Sequence, residues 1–394
     1  MQRRHRAWAE IDLAAFRSNL AAARKAAGTA EIWPVLKANA YGHGAKELAI
    51  VCAEEGVQRI GVGDSSEALE LREAGIDVPL LVLGAAIEAE LPALVRYGVE
   101  VGVHSEGKAR QFGQYALAQG ARLGVHLKVD TGMTRLGVMP EAALRVAKAI
   151  AAEPGLELRG LMTHFPAVDG CHDPQTELQH LQTLQIAEEI RQLGIPVPAV
   201  HSANSAALFS GLSPLGDAVR PGIALFGILP PALAAQTSLQ PVLSLHTQLI
   251  FHKDIPPGRA VGYGGVWTAH RGTRLATLPI GYADGIPYRL GTSGRGAVLV
   301  RGRRCPVVGA VSMDYCTIDV GHVDGAMVGD TATFIGRDGQ ETIGAQEIAD
   351  AVGTIPYEIT CSIGSRVRRV FRDAPKKAAS TDPTPQPGAV TSPD

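Results

Sequence analysis

From about residue 30 onward, short apolar runs alternate with amphipathic stretches. The runs are IWPVLK (32–37), RIGVG (59–63), PLLVLG (79–84), VEVGV (99–103), LGVHLKVD (123–130), LELRGLMTH ending at His164, VPAVHSAN (197–204) and AVRPGIALFG (218–227). They are rich in Val, Leu and Ile at successive positions, so they read as strands of a parallel sheet buried on both faces. Helix signals lie between them. In SSEALELREAGI, Asp64 and Glu67 are expected to form a capping pair and Gly75 a stop, and EAALRVAKAIAAEPG is halted by Pro154–Gly155. Eight strand–helix units in about 200 residues fit a (β/α)8 barrel of the TIM type better than an open doubly wound sheet. Neither a dinucleotide-binding nor a P-loop glycine pattern occurs, which weighs further against a nucleotide-binding sheet.

The pattern changes after about Pro230. From Val242 to Arg372 the runs are β-like and separated by Gly, Pro and Asp turns, with one helix candidate, TIGAQEIADAVG (342–353). A chain of 394 residues is long for a single core and suggests about two domains. The expected organisation is a barrel over 6–233 and a mostly-β domain over 234–373, with the first few N-terminal residues assignable to either. Residues 374–394, rich in Pro, Ser and Thr and poor in apolar side chains, are expected to be disordered.

Composition narrows the function classes. A net charge of −2 and dispersed Lys and Arg argue against a nucleic-acid partner. The densest basic run, Arg366, Arg368, Arg369 and Arg372, reads as a solvated strand edge. Five scattered cysteines without C-x-x-C exclude a disulfide framework and the common zinc ribbons, and no metal site is expected. A reducing, cytoplasmic location fits this usage. The basic N-terminus is interrupted by Glu10 and Asp12 before an apolar region of signal length, and no run suits a membrane span.

In a barrel, reactive side chains belong at the C-terminal ends of the strands. Polar residues gather there: Lys37, Lys128 with Asp130, His164, Ser202 with Asn204, and Arg220. Lys37 ends an apolar run on the side chain most costly to bury, so either it reaches solvent or something is bound to it. Burial lowers a lysine's pKa, and the neutral amine condenses with aldehydes. Pyridoxal 5'-phosphate (PLP) is the common aldehyde cofactor and requires a phosphate cradle. Backbone N–H groups around Gly222 and Ile223, in the position of the usual barrel phosphate site, offer one, with hydroxyls from Ser205 and Tyr41 in support. His164 is placed to lie against the pyridine ring, and Asn204 joins the cofactor-binding set.

At this point the sequence resembles the alanine racemases. PVLKANAYGHG (34–44) is similar to their PLP-lysine motif. The likeness continues through KVDTGMTRLG (128–137), THF (163–165), HSANSAA (201–207), RPGIALFG (220–227), VGYGGVW (261–267), PIGYADG (279–285), GAVSMDYCTIDV (309–320) and IPYEITCSIGSRVRR (355–369), covering roughly residues 6–372. Two departures stand out: Pro34 where alanine is usual, and Phe226 where tyrosine is common, so a hydroxyl near the phosphate loop is missing.

The resemblance implies a homodimeric, PLP-dependent racemase supplying D-alanine for peptidoglycan, and it assigns roles. Lys37 would carry the cofactor and act as base on one face of the substrate. Tyr263, contributed by a partner subunit, would be the base on the other. Two bases on opposite faces move the proton without turning the substrate over. Arg220 would meet the pyridine nitrogen, and an always-charged guanidinium there disfavours ring protonation. Arg135 would contact the cofactor's phenolic oxygen and the substrate carboxylate side, and the Met313 backbone N–H would bind that carboxylate. Tyr41, Ser205, Gly222, Ile223 and Tyr357 would hold the phosphate, and Lys128 is a site of carbamylation in this family. Competing expectations are a racemase of serine or another small amino acid, a related decarboxylase of basic amino acids, and a non-catalytic PLP-binding barrel. The GYGGVW and SMDY segments disfavour the decarboxylase. The second domain disfavours the carrier.

Overall fold

The computed structural model describes residues 5–166 and 174–373. Cys171 and the C-terminal segment 374–394 lie outside the described residues. Seven of the eight apolar runs contain one strand each, and the first strand overlaps its run only at Ile32: Glu31–Ile32, Ile60–Val62, Leu80–Val82, Glu100–Val103, Leu123–Lys128, Leu156–Met162, Val200–His201 and Ala218–Val219. From the second to the eighth, each strand pairs in parallel with its successor, and the eighth pairs with the first through Glu31–Ala218 and Ile32–Val219. The remaining seam, between the first and second strands, is closed by a parallel bridge from Val35 to Gly61. There the Leu36 N–H donates to the Gly61 carbonyl and the Gly61 N–H to the Pro34 carbonyl, both at 2.8 Å. A closed parallel barrel leaves no free sheet edge.

Helices surround the strands for the reasons their sequences give. In Glu106–Ala118, Ala109, Phe112, Gly113 and Ala116 share one buried face, and Ser105 accepts from the Lys108 N–H as N-cap. Burying Phe112 alone contributes about 2–3 kcal/mol of transfer free energy. The helix Ser65–Glu73 is capped by Asp64 as expected, but Glu67 does not close the expected box. Its carboxylate accepts instead from the Gly63 and Ala38 N–H groups, tying the helix start to the segment that follows Lys37.

The barrel interior mixes apolar and polar side chains. Trp33, Leu81 and Ala218 form a small apolar cluster there, beside the fully buried His126 and His201. Glycine at 160 makes room for a ring, since a Cβ there would lie 2.8 Å from His126 Nδ1.

The second domain is mostly β. Its main sheet runs in the order Arg303–Pro306, Ala297–Val300, Thr331–Asp338, Leu243–Gln248, Ala7–Asp12 and Arg368–Arg372, and a three-stranded sheet of Phe251–Ile255, Thr273–Leu278 and Cys316–Asp319 accompanies it. The N-terminal strand Ala7–Asp12 thus pairs with second-domain strands, antiparallel to Leu243–Gln248 and parallel to Arg368–Arg372. Its alternating burial shows the half-buried face of such a strand. Asn19, on the next helix, donates to the Leu225 and Gln240 carbonyls and accepts from the Gln240 N–H, pinning the connecting segment to the barrel. The helix expected over 342–353 is Ala345–Val352, preceded by a short strand, and a further helix, Pro356–Cys361, had no periodic signal because it is so short.

The basic run at the end of the chain is not a solvated edge throughout. Arg372 pairs with Glu10 and Arg366 with Asp284 and Asp314, whereas Arg369 turns inward, half-buried. Its guanidinium donates to the carbonyls of Gly42, Ile363, Gly364 and Val367. Among the described residues, no helix is long and apolar enough to cross a membrane, and no group of His, Cys, Asp and Glu is arranged to hold a metal ion.

Candidate active site

The C-terminal mouth of the barrel opens into a cavity of about 780 Å3. Lys37, Tyr41, Lys128, Arg135, His164, Asn204, Ser205, Arg220, Gly222 and Ile223 all line it. Tyr357 joins them from the second domain. Tyr263 and Met313 do not: they lie outside this cavity on the protein surface, 75% and 53% exposed.

The segment that delivers Lys37 and Tyr41 is unusual. Ala38, Asn39, Ala40 and Tyr41 all adopt left-handed backbone angles, with φ between 52° and 54°. For L-residues this costs roughly 1–2 kcal/mol each, so about 4–8 kcal/mol in all must be offset. The neighbourhood supplies the offset. The Ala40 N–H bonds to Leu36 O (2.8 Å), that of Gly42 to Ala38 O (2.9 Å) and that of Gly44 to Asn39 O (2.9 Å). Asn39 Oδ1 accepts from the Ala45 N–H at 2.8 Å. Glu67 receives the Ala38 N–H, His43 Nδ1 sits 2.9 Å from Tyr41 O, and Arg369 holds Gly42 O. Gly42 has no room for a side chain, because a Cβ would lie 2.0 Å from Thr360 O. The turn is therefore held from the barrel on one side and from the second domain on the other.

Arg135 is placed by a different device. The Asp130 carboxylate accepts from the backbone N–H groups of Gly132, Thr134 and Arg135, which folds the 131–137 loop over the mouth. The Arg220 guanidinium is buried. Nη1 donates to His201 Nδ1 (2.8 Å) and His201 O, and Nη2 to Thr163 O (2.7 Å) and Ser202 O (3.1 Å). Ser205 Oγ accepts from the N–H groups of Gly222 (2.9 Å) and Ala224 (3.2 Å). The Gly222 donor expected to face an anion is thus given to Ser205, which leaves the Ser205 hydroxyl proton as the donor available from that pair. Tyr41 reaches the same place, since a Cβ on Gly222 would lie 2.3 Å from its Oη. Phe226 packs under this loop, its ring 4.2 Å from His43 and 5.4 Å from Tyr41.

Positive charge crowds the mouth. Lys37 stands in the open cavity, yet the surrounding wall and the Arg135 charge lower its pKa, against smaller opposing pulls from Cys361 and Glu67. Burial, then Arg220, Arg135 and Lys37, bring Lys128 down to about 8, and Lys128 donates to Leu83 O at 3.1 Å. Burial and the same cations push His164 down to about 3, so it is neutral. The nearby carboxylates Glu67 and Asp130 are occupied with backbone N–H groups. Such a site favours an anionic ligand and a lysine that gives up its proton easily.

Sequence reasoning did not single out Glu67, His201, Arg369 or Cys361 as parts of this neighbourhood. His201 stood in a quoted motif, one residue before Ser202, and an inward strand position beside Arg220 was its signal. Arg369 carried none, because the carbonyl that ties it to the site, that of Gly42, lies 327 residues away in sequence.

A closed parallel barrel with a lysine just beyond its first strand, followed by a β-domain that reaches back over the mouth, defines a class of lysine-centred barrel enzymes. Comparison with known proteins identifies the member of that class. Family models for the alanine racemase N-terminal and C-terminal domains match residues 11–230 and 242–371. An alanine racemase of Methanococcus maripaludis is 38% identical over 371 residues, covering 93% of this chain and 99% of that protein. One of Desulforamulus reducens is 40% identical over 368 residues, covering 92% and 98%. Among solved structures, the alanine racemase of Clostridium difficile superimposes with a TM-score of 0.88 at 31% identity, covering 93% of this chain and 95% of that one. That of Streptomyces lavendulae gives 0.88 at 34%, covering 93% and 97%. The chain belongs to the alanine racemase family, isomerases that act on amino acids.

Proposed function

We propose that this protein interconverts L-alanine and D-alanine with PLP held at Lys37, and that its product supplies peptidoglycan synthesis. The observation that carries this reading is the convergence of Lys37, Arg135, His164 and Arg220 on one cation-rich cavity beside the Ser205–Gly222 cradle.

The residues present fit the cofactor. A side chain at Gly222 would fill the space beside Tyr41 Oη, so the loop is kept open where a phosphate would sit against the hydroxyls of Tyr41 and Ser205 and near that of Tyr357. When bound, PLP supplies an electron-withdrawing ring that acidifies the substrate α-carbon. Arg220, fixed by four acceptors and unable to accept a proton, would present a permanent cation to the ring nitrogen. His164, neutral, would add a flat face without adding charge. The lowered pKa of Lys37 suits an amine that must both lose and regain a proton. Arg135 would hold the substrate carboxylate from the loop organised by Asp130, and Lys128 beside it, its pKa lowered to about 8, would offer a neutral fraction open to carbamylation.

The second base is assigned to Tyr263 of a second copy. Its 75% exposure, on a surface that also exposes Val266, Met313 and Tyr315, suits a surface that completes another subunit's site and not its own. The test is direct: optical rotation of L-alanine should decay to zero on adding purified, cofactor-loaded protein, with D-alanine detected by a stereospecific oxidase. Unchanged rotation at high enzyme concentration would refute the reading.

A further inference from the structure

A line of buried polar side chains crosses the barrel from the end opposite the active site. Glu100 begins its strand at the N-terminal face, and Arg59 grips it with two hydrogen bonds, Nε to Oε2 at 2.6 Å and Nη2 to Oε1 at 2.9 Å. Glu100 Oε2 lies 2.8 Å from His126 Nε2. His126 Nδ1 lies 2.9 Å from His201 Nε2, and His201 Nδ1 lies 2.8 Å from Arg220 Nη1. Both histidines are fully buried, and the ring of Trp33 lies against each, 5.9 Å from His126 and 4.5 Å from His201.

The chemistry at the two ends fixes every proton between them. A guanidinium only donates, so His201 Nδ1 must be bare. A neutral imidazole bare at Nδ1 carries its proton on Nε2, and that proton points at His126 Nδ1. His126 Nδ1 is therefore bare too, and its own proton, on Nε2, is donated to Glu100. A carboxylate held by a bidentate arginine accepts it without difficulty. Adding a proton to either ring would set two donors against each other at one of these contacts. Both histidines are consequently neutral, in agreement with the burial that lowers their pKa, and Glu100 is ionised: burial pushes it up, but the hydrogen bonds from His126 and Arg59 prevail and bring it to about 2.

We propose that Glu100 is a positioning residue for Arg220, acting through a one-way relay of two histidine tautomers. The inference rests on the reading of Arg220 as the group facing the cofactor ring. The relay sets Arg220 in place by a lone pair, and the nearest carboxylate on this line stands two neutral imidazoles away. The guanidinium is therefore oriented without being neutralised, and its full charge faces the cavity.

Arg59 Nε and His126 Nε2 share Glu100 Oε2, so two substitutions separate the relay from packing. Glu100→Gln keeps an oxygen at that shared position, with its NH2 turned toward Arg59 Nη2, and His126 can still donate. Glu100→Leu leaves the His126 Nε2 proton with no acceptor and loosens the line that sets Arg220. In heteronuclear NMR of the histidine-labelled holoenzyme, the unsubstituted protein and Glu100→Gln should both show His126 and His201 as neutral Nε2–H tautomers. Glu100→Leu should lower kcat for alanine by about tenfold or more, with KM changed less than about twofold, whereas Glu100→Gln should retain much of kcat. A packing role would make the similarly sized Leu as tolerable as Gln. Either histidine found as an Nδ1–H tautomer or an imidazolium in the unsubstituted protein overturns the proposal, as does Glu100→Leu with unchanged kcat. Should Glu100→Leu fail to fold, the tautomers of the unsubstituted protein decide alone. A protein that does not racemise alanine would sink the proposed function while leaving the tautomer result readable.

Discussion

Gly222→Ala offers a quantitative probe of the cradle. The new methyl carbon would stand 2.3 Å from Tyr41 Oη, 2.9 Å from its Cζ and 3.1 Å from its Cε2, against the 3.5–4.0 Å of ordinary contact. Its φ of −118° lies outside the left-handed region, so the obstacle is the contact itself. The hydroxyl end must retreat by roughly 1 Å. Tyr41 has little freedom to do so: it is buried, with Phe226 at 5.4 Å and Tyr357 at 5.9 Å between ring centres. Its open side is the cavity, where the cofactor phosphate is proposed to sit. Overpacking of this kind costs about 1–3 kcal/mol, and because the strain is relieved into the binding space, it should appear as weakened cofactor affinity. At about 1.4 kcal/mol per tenfold, the expected loss is roughly 5- to 150-fold. The assay is titration of cofactor-stripped protein with PLP, read by visible absorbance, with a melting curve beside it. In a Tyr41→Ala background the same glycine change should be nearly silent, since the ring it strikes is gone. Affinity within about twofold of the parent for Gly222→Ala alone would show that Tyr41 does not close the cradle, and would refute the reasoning.

Three further outcomes are expected. Lys37→Ala should abolish both racemisation and the covalently anchored visible chromophore; a chromophore that survives denaturation would place the cofactor on another lysine. Lys37→Ala and Tyr263→Phe, each inactive alone, should regain activity toward about a quarter of sites when mixed under subunit exchange, by the pairing statistics of a two-fold dimer. No recovery despite demonstrated exchange would put both bases on one chain. Lys128 is held at about 8 in the folded protein, against an ordinary 10.5, so between those pH values the unfolded chain binds more protons and stability rises with pH. Below pH 8 the buried charge is destabilising by roughly 3 kcal/mol, so Lys128→Met should raise Tm there in carbonate-free buffer, by an amount that shrinks toward pH 10.5. A pH-independent difference would show that the charge is not the cause.

The barrel was legible because strands covered on both faces must be apolar throughout, and the eight runs were. The site was legible because a barrel mouth is where polar residues interrupt such runs, as Lys37, Lys128, His164 and Arg220 do. What escaped notice has a common origin in distant partners. Ala38–Tyr41 contains no glycine to announce a left-handed turn; the conformation is imposed by Glu67 and Arg369, neither adjacent in sequence. His126 looked like one polar residue in an apolar strand, and only the fold places it in line with Glu100 and His201. Arg369 read as an exposed basic position because strand alternation does not reveal four carbonyls converging from one side.

The left-handed turn bears on how this protein can be divided. The residues that stabilise it arrive from both ends of the chain's architecture: Glu67 from a barrel helix, Arg369 from a strand that ends the second domain. Expressed alone, residues 11–230 would keep every barrel strand and the lysine but lose Arg369 and the Thr360 wall against Gly42. The turn would keep Glu67, Asn39 and its own backbone bonds but lose its second-domain supports, so the four residues are expected to relax toward ordinary backbone angles and to carry Lys37 with them. The barrel is thus not an autonomous catalytic module to which a dimerisation unit has been attached. Gene fusions or domain exchanges that cut between residues 230 and 242 would separate the lysine turn from half of its supports, and the two parts are bound to change together.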